Sequence, residues 1–248
     1  MDRGMDRRVA LIPGGARGIG RAIGIALAKD GWQVALAYRN SEMEAAETVG
    51  TMREAGALCL AIRSDVSDPH QAESLVKRVE DGWGRVDALI NCMGPYHRVG
   101  LLEETVEGWN EMFDNNLHPV FYLSRLVASG MKERGWGRII SFSMANADQL
   151  VAQPHVTAHY IAKAGILVLT RSLARLLAPL GVTVNAISPG FIDSGSAPLE
   201  ELKPMTKNIP AGYIGSVDDA VGVVQFLLSD AARYVTGANI HLSGGWGI

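Results

Sequence analysis

The sequence predicts an α/β fold: one doubly wound domain with a parallel sheet of seven strands and helices on both faces. Three observations predict it. Short continuous apolar runs alternate with longer helical patterns, as expected for strands buried on both sides. The first run leads straight into a glycine-rich turn that opens a helix. The 248 residues contain no internal repeat, low-complexity segment or composition shift, so residues 1–248 read as a single domain.

The strand runs are Val9–Ile12, Val34–Tyr38, Leu58–Ile62, Ala88–Cys92, Ile139–Phe142, Val182–Ile187 and Asn239–Leu242. Helix signals lie between them. Ser41 followed by Glu44 is a capping-box pattern opening a helix over Ser41–Ala55. Asp68-Pro69 supplies a cap and a first-turn proline for Pro69–Asp81. Gly31 and Gly181 stand where helix C-termini should end, and Asp218–Leu228 is a further short helix.

Composition narrows the function classes. The 23 Lys+Arg against 26 Asp+Glu give a formal net charge of −3, with no excess that would attract nucleic acid or an anionic membrane. Hydrophobic residues at 48% and charged residues at 20% exclude a disordered chain. Only Cys59 and Cys92 are present, so neither a disulfide framework nor a cysteine-based zinc site is expected, and no metal is called for. The five-residue apolar run before Gly14 is too short for a signal core, and no run approaches the roughly 18 apolar residues of a membrane span. A cytoplasmic protein is the expectation.

The chemistry begins at Pro13-Gly14-Gly15-Ala16-Arg17-Gly18-Ile19-Gly20. Ile23, Leu27 and Trp32 mark the apolar side of the helix that follows. Glycines let a backbone turn sharply and approach a pyrophosphate, and the helix N-terminus offers N–H donors and the positive end of its dipole. A strand before and a helix after supply the context that makes this a nucleotide-binding turn. On the turn alone, another nucleotide such as S-adenosylmethionine also fits.

The spacing Gly14-x-x-x-Gly18-x-Gly20 resembles that of the classical short-chain dehydrogenase/reductase family, with its Rossmann-type fold. The likeness runs along the whole chain: Asp65-Val66, Asn91-Cys92-Met93-Gly94, Asn116-Leu117, Gly137-Arg138-Ile139-Ile140-Ser141, Lys163-Ala164-Gly165, Asn185–Ile192, Thr236–Asn239 and Gly244-Gly245. Members of the 3-oxoacyl-carrier-protein reductase type are the nearest general match. The resemblance implies hydride transfer between a nicotinamide cofactor and a carbonyl or alcohol. It implies cofactor contacts at Gly14, Arg17, Gly18, Ile19, Gly20, Arg39, Asp65, Val66, Asn91, Gly94, Lys163, Pro189, Gly190, Ile192 and Ser194. It also implies a homo-oligomer, a dimer or tetramer.

The second strand ends Ala37-Tyr38-Arg39-Asn40-Ser41, with no acid before Glu42 to bind ribose hydroxyls. Arg39 offers a planar fork suited to a 2′-phosphate, and Arg17 adds a second positive charge, which favours NADP(H) over NAD(H).

The catalytic positions depart from the family pattern. Its tyrosine slot, four residues before Lys163, holds His159, while Tyr160 lies three before it. At about 100° per residue, both can share a face with Lys163, and the Pro154–Thr157 segment can open the helix in a shifted register. The serine slot falls on Met144, one residue after Ser143, with Asn146 and Asp148 as nearby substitutes. Asn116, Ser143, His159, Tyr160 and Lys163 are therefore the catalytic candidates, with Tyr160 or His159 as proton donor. Asn115 reads as a solvated helix residue.

The expected reaction is NADP(H)-dependent reduction of a 3-oxoacyl thioester, ketone or similar carbonyl, or oxidation of the matching alcohol. The rival is an inactive dinucleotide-binding subunit or sensor. Pro95–Arg98 should face the substrate, with Ser194–Pro210 as a cover in which Leu199, Leu202, Pro204 and Met205 line an apolar pocket and Lys203 and Lys207 meet an acidic carrier or phosphate.

Overall fold

In the first strand, β1 (Val9–Pro13), alternate side chains enter two different cores. Ala10 and Ile12 pack with Ile23 and Leu27 on one face, and Val9 and Leu11 with Leu75 and Val79 on the other. A strand apolar at every position is what a two-faced burial demands. The structure, a computed structural model, describes residues 7–195, 200 and 203–248.

Strand β1 leads through the glycine turn to α1 (Gly18–Lys29), β2 (Gln33–Tyr38), α2 (Glu42–Glu54), β3 (Cys59–Arg63), α3 (Pro69–Trp83) and β4 (Ala88–Asn91). Then come α4 (Val106–Asn116), α5 (His118–Arg134), β5 (Gly137–Phe142), α6 (Thr157–Leu177) and β6 (Val182–Pro189). A two-residue pair, β7 (Ile192–Asp193) and β8 (Gly215–Ser216), precedes α7 (Val217–Leu228) and β9 (Asn239–Leu242). The main sheet has seven strands in the order β3-β2-β1-β4-β5-β6-β9, and every neighbouring pair is parallel. This is the α/β sheet the apolar runs predict. Because β1 pairs with both β2 and β4, the chain order reverses there, and a crevice opens beyond its carboxyl end.

Local signals mostly act as read. Asp68 accepts a hydrogen bond from the His70 amide at 2.8 Å, and Gly31 and Gly181 take φ values of 87° and 76° beyond their helices. Two readings need correction. Ser41 precedes α2 but makes no side-chain cap; its ψ of 61° turns it toward the crevice instead. The reciprocal capping box forms at Ser216 and Asp219, opening α7. The third strand also begins one residue later than expected, at Cys59, because Leu58 is exposed.

At the amino ends of the central strands, away from the crevice, fully buried Asp87 joins β1, β4 and β5. Its carboxylate accepts from the Val9 amide at 2.9 Å and from Arg85 at 2.6 Å, and its carbonyl accepts from the Arg138 amide at 3.0 Å. Asp87→Ala leaves a buried N–H and a half-buried guanidinium without their acceptor. It should lower the stability measured by urea unfolding by about 2–4 kcal/mol, with nucleotide binding by the folded fraction unchanged.

Candidate active site

The glycine turn approaches the end of β4 more closely than a side chain allows. Gly14 has a φ of 78°, and a Cβ there would lie 2.8 Å from the Met93 amide nitrogen. A Cβ on Gly20 would strike the Gly14 carbonyl. Thr48 of α2 donates to the Ala16 carbonyl at 2.9 Å and fixes the turn from behind. Helix α1 starts at Gly18 with no side-chain cap and no acid in its first turn, so its leading N–H groups face the crevice.

The crevice encloses about 400 Å³. Its wall includes Gly14, Arg17, Gly18, Ile19, Gly20, Arg39, Asp65, Val66, Gly94 and Ser194, all of them expected cofactor contacts. Asp65 accepts from the Ser67 amide and hydroxyl at 3.1 and 2.7 Å, and its other oxygen stands 3.8 Å from Arg39. Asn115, read from sequence as a solvated residue, also lines the wall, and its Oδ1 accepts from Arg39 at 2.8 Å. Apolar periodicity finds the buried side of α4 but cannot show that its half-buried last turn closes one side of a cleft.

The remaining expected contacts lie beyond this wall. Asn91 is buried beneath it and donates to the Ser141 hydroxyl at 3.1 Å. Pro189 and Gly190 bond to the loop after β5 and to β9, and Ile192 pairs with Gly215. Pro204 and Met205 are exposed, as are Lys203 and Lys207, and Leu199 and Leu202 lie outside the described residues.

The inner end of the crevice is Gly94, with φ 139°. A Cβ there would meet the Asn116 Oδ1 and stand 3.2 Å from the Lys163 Nζ. Asn116 is fully buried, and its amide donates to the Pro95 and Met112 carbonyls at 3.1 and 3.0 Å, while its Oδ1 has no partner among the described residues. Lys163, only 6% exposed, donates to the Phe142 carbonyl at 3.0 Å. Burial pulls its ammonium down to about 8. Burial also pushes the Cys92 thiol up, so this side chain stays neutral beside the lysine.

Helix α6 begins at Thr157 and runs regularly, so the Pro154–Thr157 segment does not shift its register. His159 therefore keeps the position one turn before Lys163. It is 7% exposed, its Nδ1 has no partner among the described residues, and Tyr96 meets its ring edge-on at 5.2 Å. The loop carrying Tyr96 is fastened over the helix start: Val99 and Leu101 donate to the His155 and Pro154 carbonyls at 2.9 and 2.8 Å. Burial, then the Lys163 charge, then His97 hold the His159 imidazole down at about 3. It is neutral at physiological pH.

Tyr160 is not brought to this cluster. Its hydroxyl donates to the Asn146 carbonyl at 2.8 Å and accepts from the Val151 amide at 3.1 Å, and its ring packs with Ala147 and Leu167. Ser143 likewise serves the fold, donating to the Lys163 carbonyl at 2.8 Å. Asp148 is drawn to His241 at 2.9 Å, and Asn146, at φ 60°, packs near the C-terminal Gly247. Neither replaces the missing serine.

A parallel sheet with a glycine-turn crevice running to a buried lysine defines a dinucleotide-binding oxidoreductase site. The chain belongs to the short-chain dehydrogenase/reductase family. The family model described as Enoyl-(Acyl carrier protein) reductase matches residues 14–247. The chain is 36% identical over 239 residues to the 3-oxoacyl-[acyl-carrier-protein] reductase FabG of Staphylococcus aureus, covering 95% of this chain and 96% of that protein. It is also 36% identical to nodulation protein G of Azospirillum brasilense over 244 residues, 97% and 98% of the two chains. Among solved structures, an actinorhodin polyketide ketoreductase with NADPH superposes with a TM-score of 0.90 at 30% identity, covering 98% of each chain.

The neutral buried imidazole has a consequence for stability. Between pH 6.5 and about 3 the unfolded chain binds a proton at His159 that the folded chain does not. Stability should fall as pH drops through that window. His159→Phe should make the fall shallower by an amount on the order of a few kcal/mol, read from urea midpoints at pH 7 and pH 4.

Proposed function

We propose that the protein is an NADP(H)-dependent reductase of a small carbonyl compound or 3-oxoacyl thioester, acting also on the matching alcohol. The observation that carries this reading is the meeting at Gly94 of the nucleotide-sized crevice with the buried Lys163 and Asn116, with His159 one helical turn before the lysine. The glycine turn and the leading N–H groups of α1 suit a pyrophosphate. Arg39 and Arg17 suit a 2′-phosphate, and no acid stands at the end of β2 to prefer free ribose hydroxyls. The names of the relatives, a 3-oxoacyl-[acyl-carrier-protein] reductase and a polyketide ketoreductase, support the substrate class.

The bound dinucleotide carries the hydride. The protein must stabilise the oxygen anion that forms on the substrate and deliver a proton to it. With His159 neutral, its ring N–H is a hydrogen-bond donor rather than an acid. Lys163 is the group with a proton to give near neutral pH: the Nζ–H bond breaks, the proton joins the substrate oxygen, and solvent restores the ammonium. Asn116 Oδ1 is an acceptor for a water or substrate hydroxyl on that path.

A second reading rests on a specific observation. The two hydroxyl side chains expected from sequence as catalytic, Ser143 and Tyr160, are committed to backbone partners, as in a binding subunit that holds dinucleotide without turnover.

Melting with NADPH at a hundredfold its Kd should add about 2.7 kcal/mol of stability, and NADPH absorbance should fall with at least one member of a panel of ketones and 3-oxoacyl thioesters. The rate of reduction should decline as pH rises through about 8, where the Lys163 ammonium is lost. Lys163→Met and His159→Phe should each cost about a hundredfold or more, whereas Tyr160→Phe should keep the rate within about threefold and lose about 1 kcal/mol of stability. Stabilisation without turnover across the panel favours the binding-subunit reading. Loss of turnover in Tyr160→Phe alone contradicts the assignment of the proton path.

A further inference from the structure

Resting on the NADP(H) reading, we propose that Asn115 is a positioning residue that holds Arg39 for the 2′-phosphate and so sets the choice between phosphorylated and unphosphorylated dinucleotides. Arg39 leaves the end of β2, and Asn115 sits in the last turn of α4, beyond β4. Strand β1 lies between β2 and β4, so the 2.8 Å bond from Arg39 Nη1 to Asn115 Oδ1 crosses the mouth of the crevice. Both residues line that mouth.

The orientation of the amide is set twice over. Asn115 Nδ2 donates to the Glu111 carbonyl one turn back at 2.9 Å, which turns Oδ1 outward. A guanidinium has only donors, so the atom facing it must be the oxygen. One arm of the arginine fork is thereby fixed. The backbone at the root of the side chain is held as well, since the Arg39 carbonyl accepts from Arg63 Nε at 3.3 Å.

The acceptor is also neutral, and this decides the sign of the effect. A carboxylate at position 115 would fix the fork equally well but cancel its charge. Asp65 makes only a long, partly exposed ion pair with Arg39, 3.8 Å from Nη1, through the oxygen that Ser67 leaves free. A pair this long and this open to solvent compensates little of the Arg39 charge, so the fork keeps its pull on an anion and its remaining N–H donors while losing much of its rotamer freedom. A dianionic phosphate then meets a pre-ordered fork, which spares the ordering cost on binding.

Calorimetric titration with adenosine 2′,5′-bisphosphate and 5′-AMP, which share the adenosine and the 5′-phosphate and differ only in the phosphate at the 2′ position, tests this on the full chain. The native protein should prefer the 2′-phosphorylated probe, and Arg39→Ala should lose that preference. Asn115→Leu should weaken the 2′-phosphorylated probe by about two- to tenfold and leave 5′-AMP unchanged. Asn115→Asp should weaken it further, by forming an ion pair with Arg39. In the Arg39→Ala background, Asn115→Leu should have no additional effect, because Asn115 acts through Arg39. Equal weakening of both probes by Asn115→Leu, or weakening that persists without Arg39, overturns the proposal while leaving the NADP(H) reading intact. A native protein that binds the two probes equally overturns that reading and the proposal with it.

Discussion

An ammonium group taken out of water is expensive, and Lys163 is buried with a backbone carbonyl of β5 as its hydrogen-bond partner. Much of the site follows from that constraint. The cost falls on the charged form, which brings the proton affinity of Lys163 close to neutral pH and makes it an acid of useful strength. Its charge also weighs on its neighbours. His159, one helical turn away, is held unprotonated by burial and by Lys163 together. The thiol of Cys92 remains a thiol because desolvation outweighs the attraction of the lysine. The scaffold positions this charge by anchoring both ends of the contact: Ser143 binds the Lys163 carbonyl, and the end of β5 offers the Phe142 carbonyl to its Nζ.

The unpartnered buried atoms are informative in this setting. Asn116 Oδ1 and His159 Nδ1 are both enclosed and lack hydrogen bonds among the described residues. Buried polar atoms normally find partners, so a pair of orphans beside Lys163 marks where ligand atoms or water belong. Tyr160 shows the opposite condition. Its hydroxyl both donates and accepts against the loop between β5 and α6, and freeing it would strand the Asn146 carbonyl and the Val151 amide. The phenol stabilises that loop, while the imidazole keeps a nitrogen without a partner among the described residues.

The fold was largely legible because its strands are apolar at nearly every position. A run such as Val182–Ile187 has one plausible home, the middle of a sheet covered on both faces. The glycine turn was legible because its residues answer to backbone geometry, as the Gly14 approach to Met93 shows. What escaped depended on tertiary placement. Ser41 has the spacing of a capping box, yet its backbone turns toward the crevice, and the box that forms is at Ser216. Periodicity allowed Tyr160 and His159 equal access to Lys163, because angle about a helix axis does not say which neighbour claims a hydroxyl. Asn115 was read as a solvated residue for a similar reason: its partner lies 76 residues away in sequence.

The central claim is that the titrating group of this site is Lys163 and that His159 beside it stays neutral. Direct observation by NMR of the side-chain nitrogens, with Lys163→Met and His159→Phe to assign the signals, tests it most directly. The account predicts a lysine Nζ midpoint near 8 and an imidazole that remains neutral from pH 7 down to about pH 3. A lysine that titrates near its ordinary 10.5, or a His159 that takes up a proton near its ordinary 6.5, would contradict it.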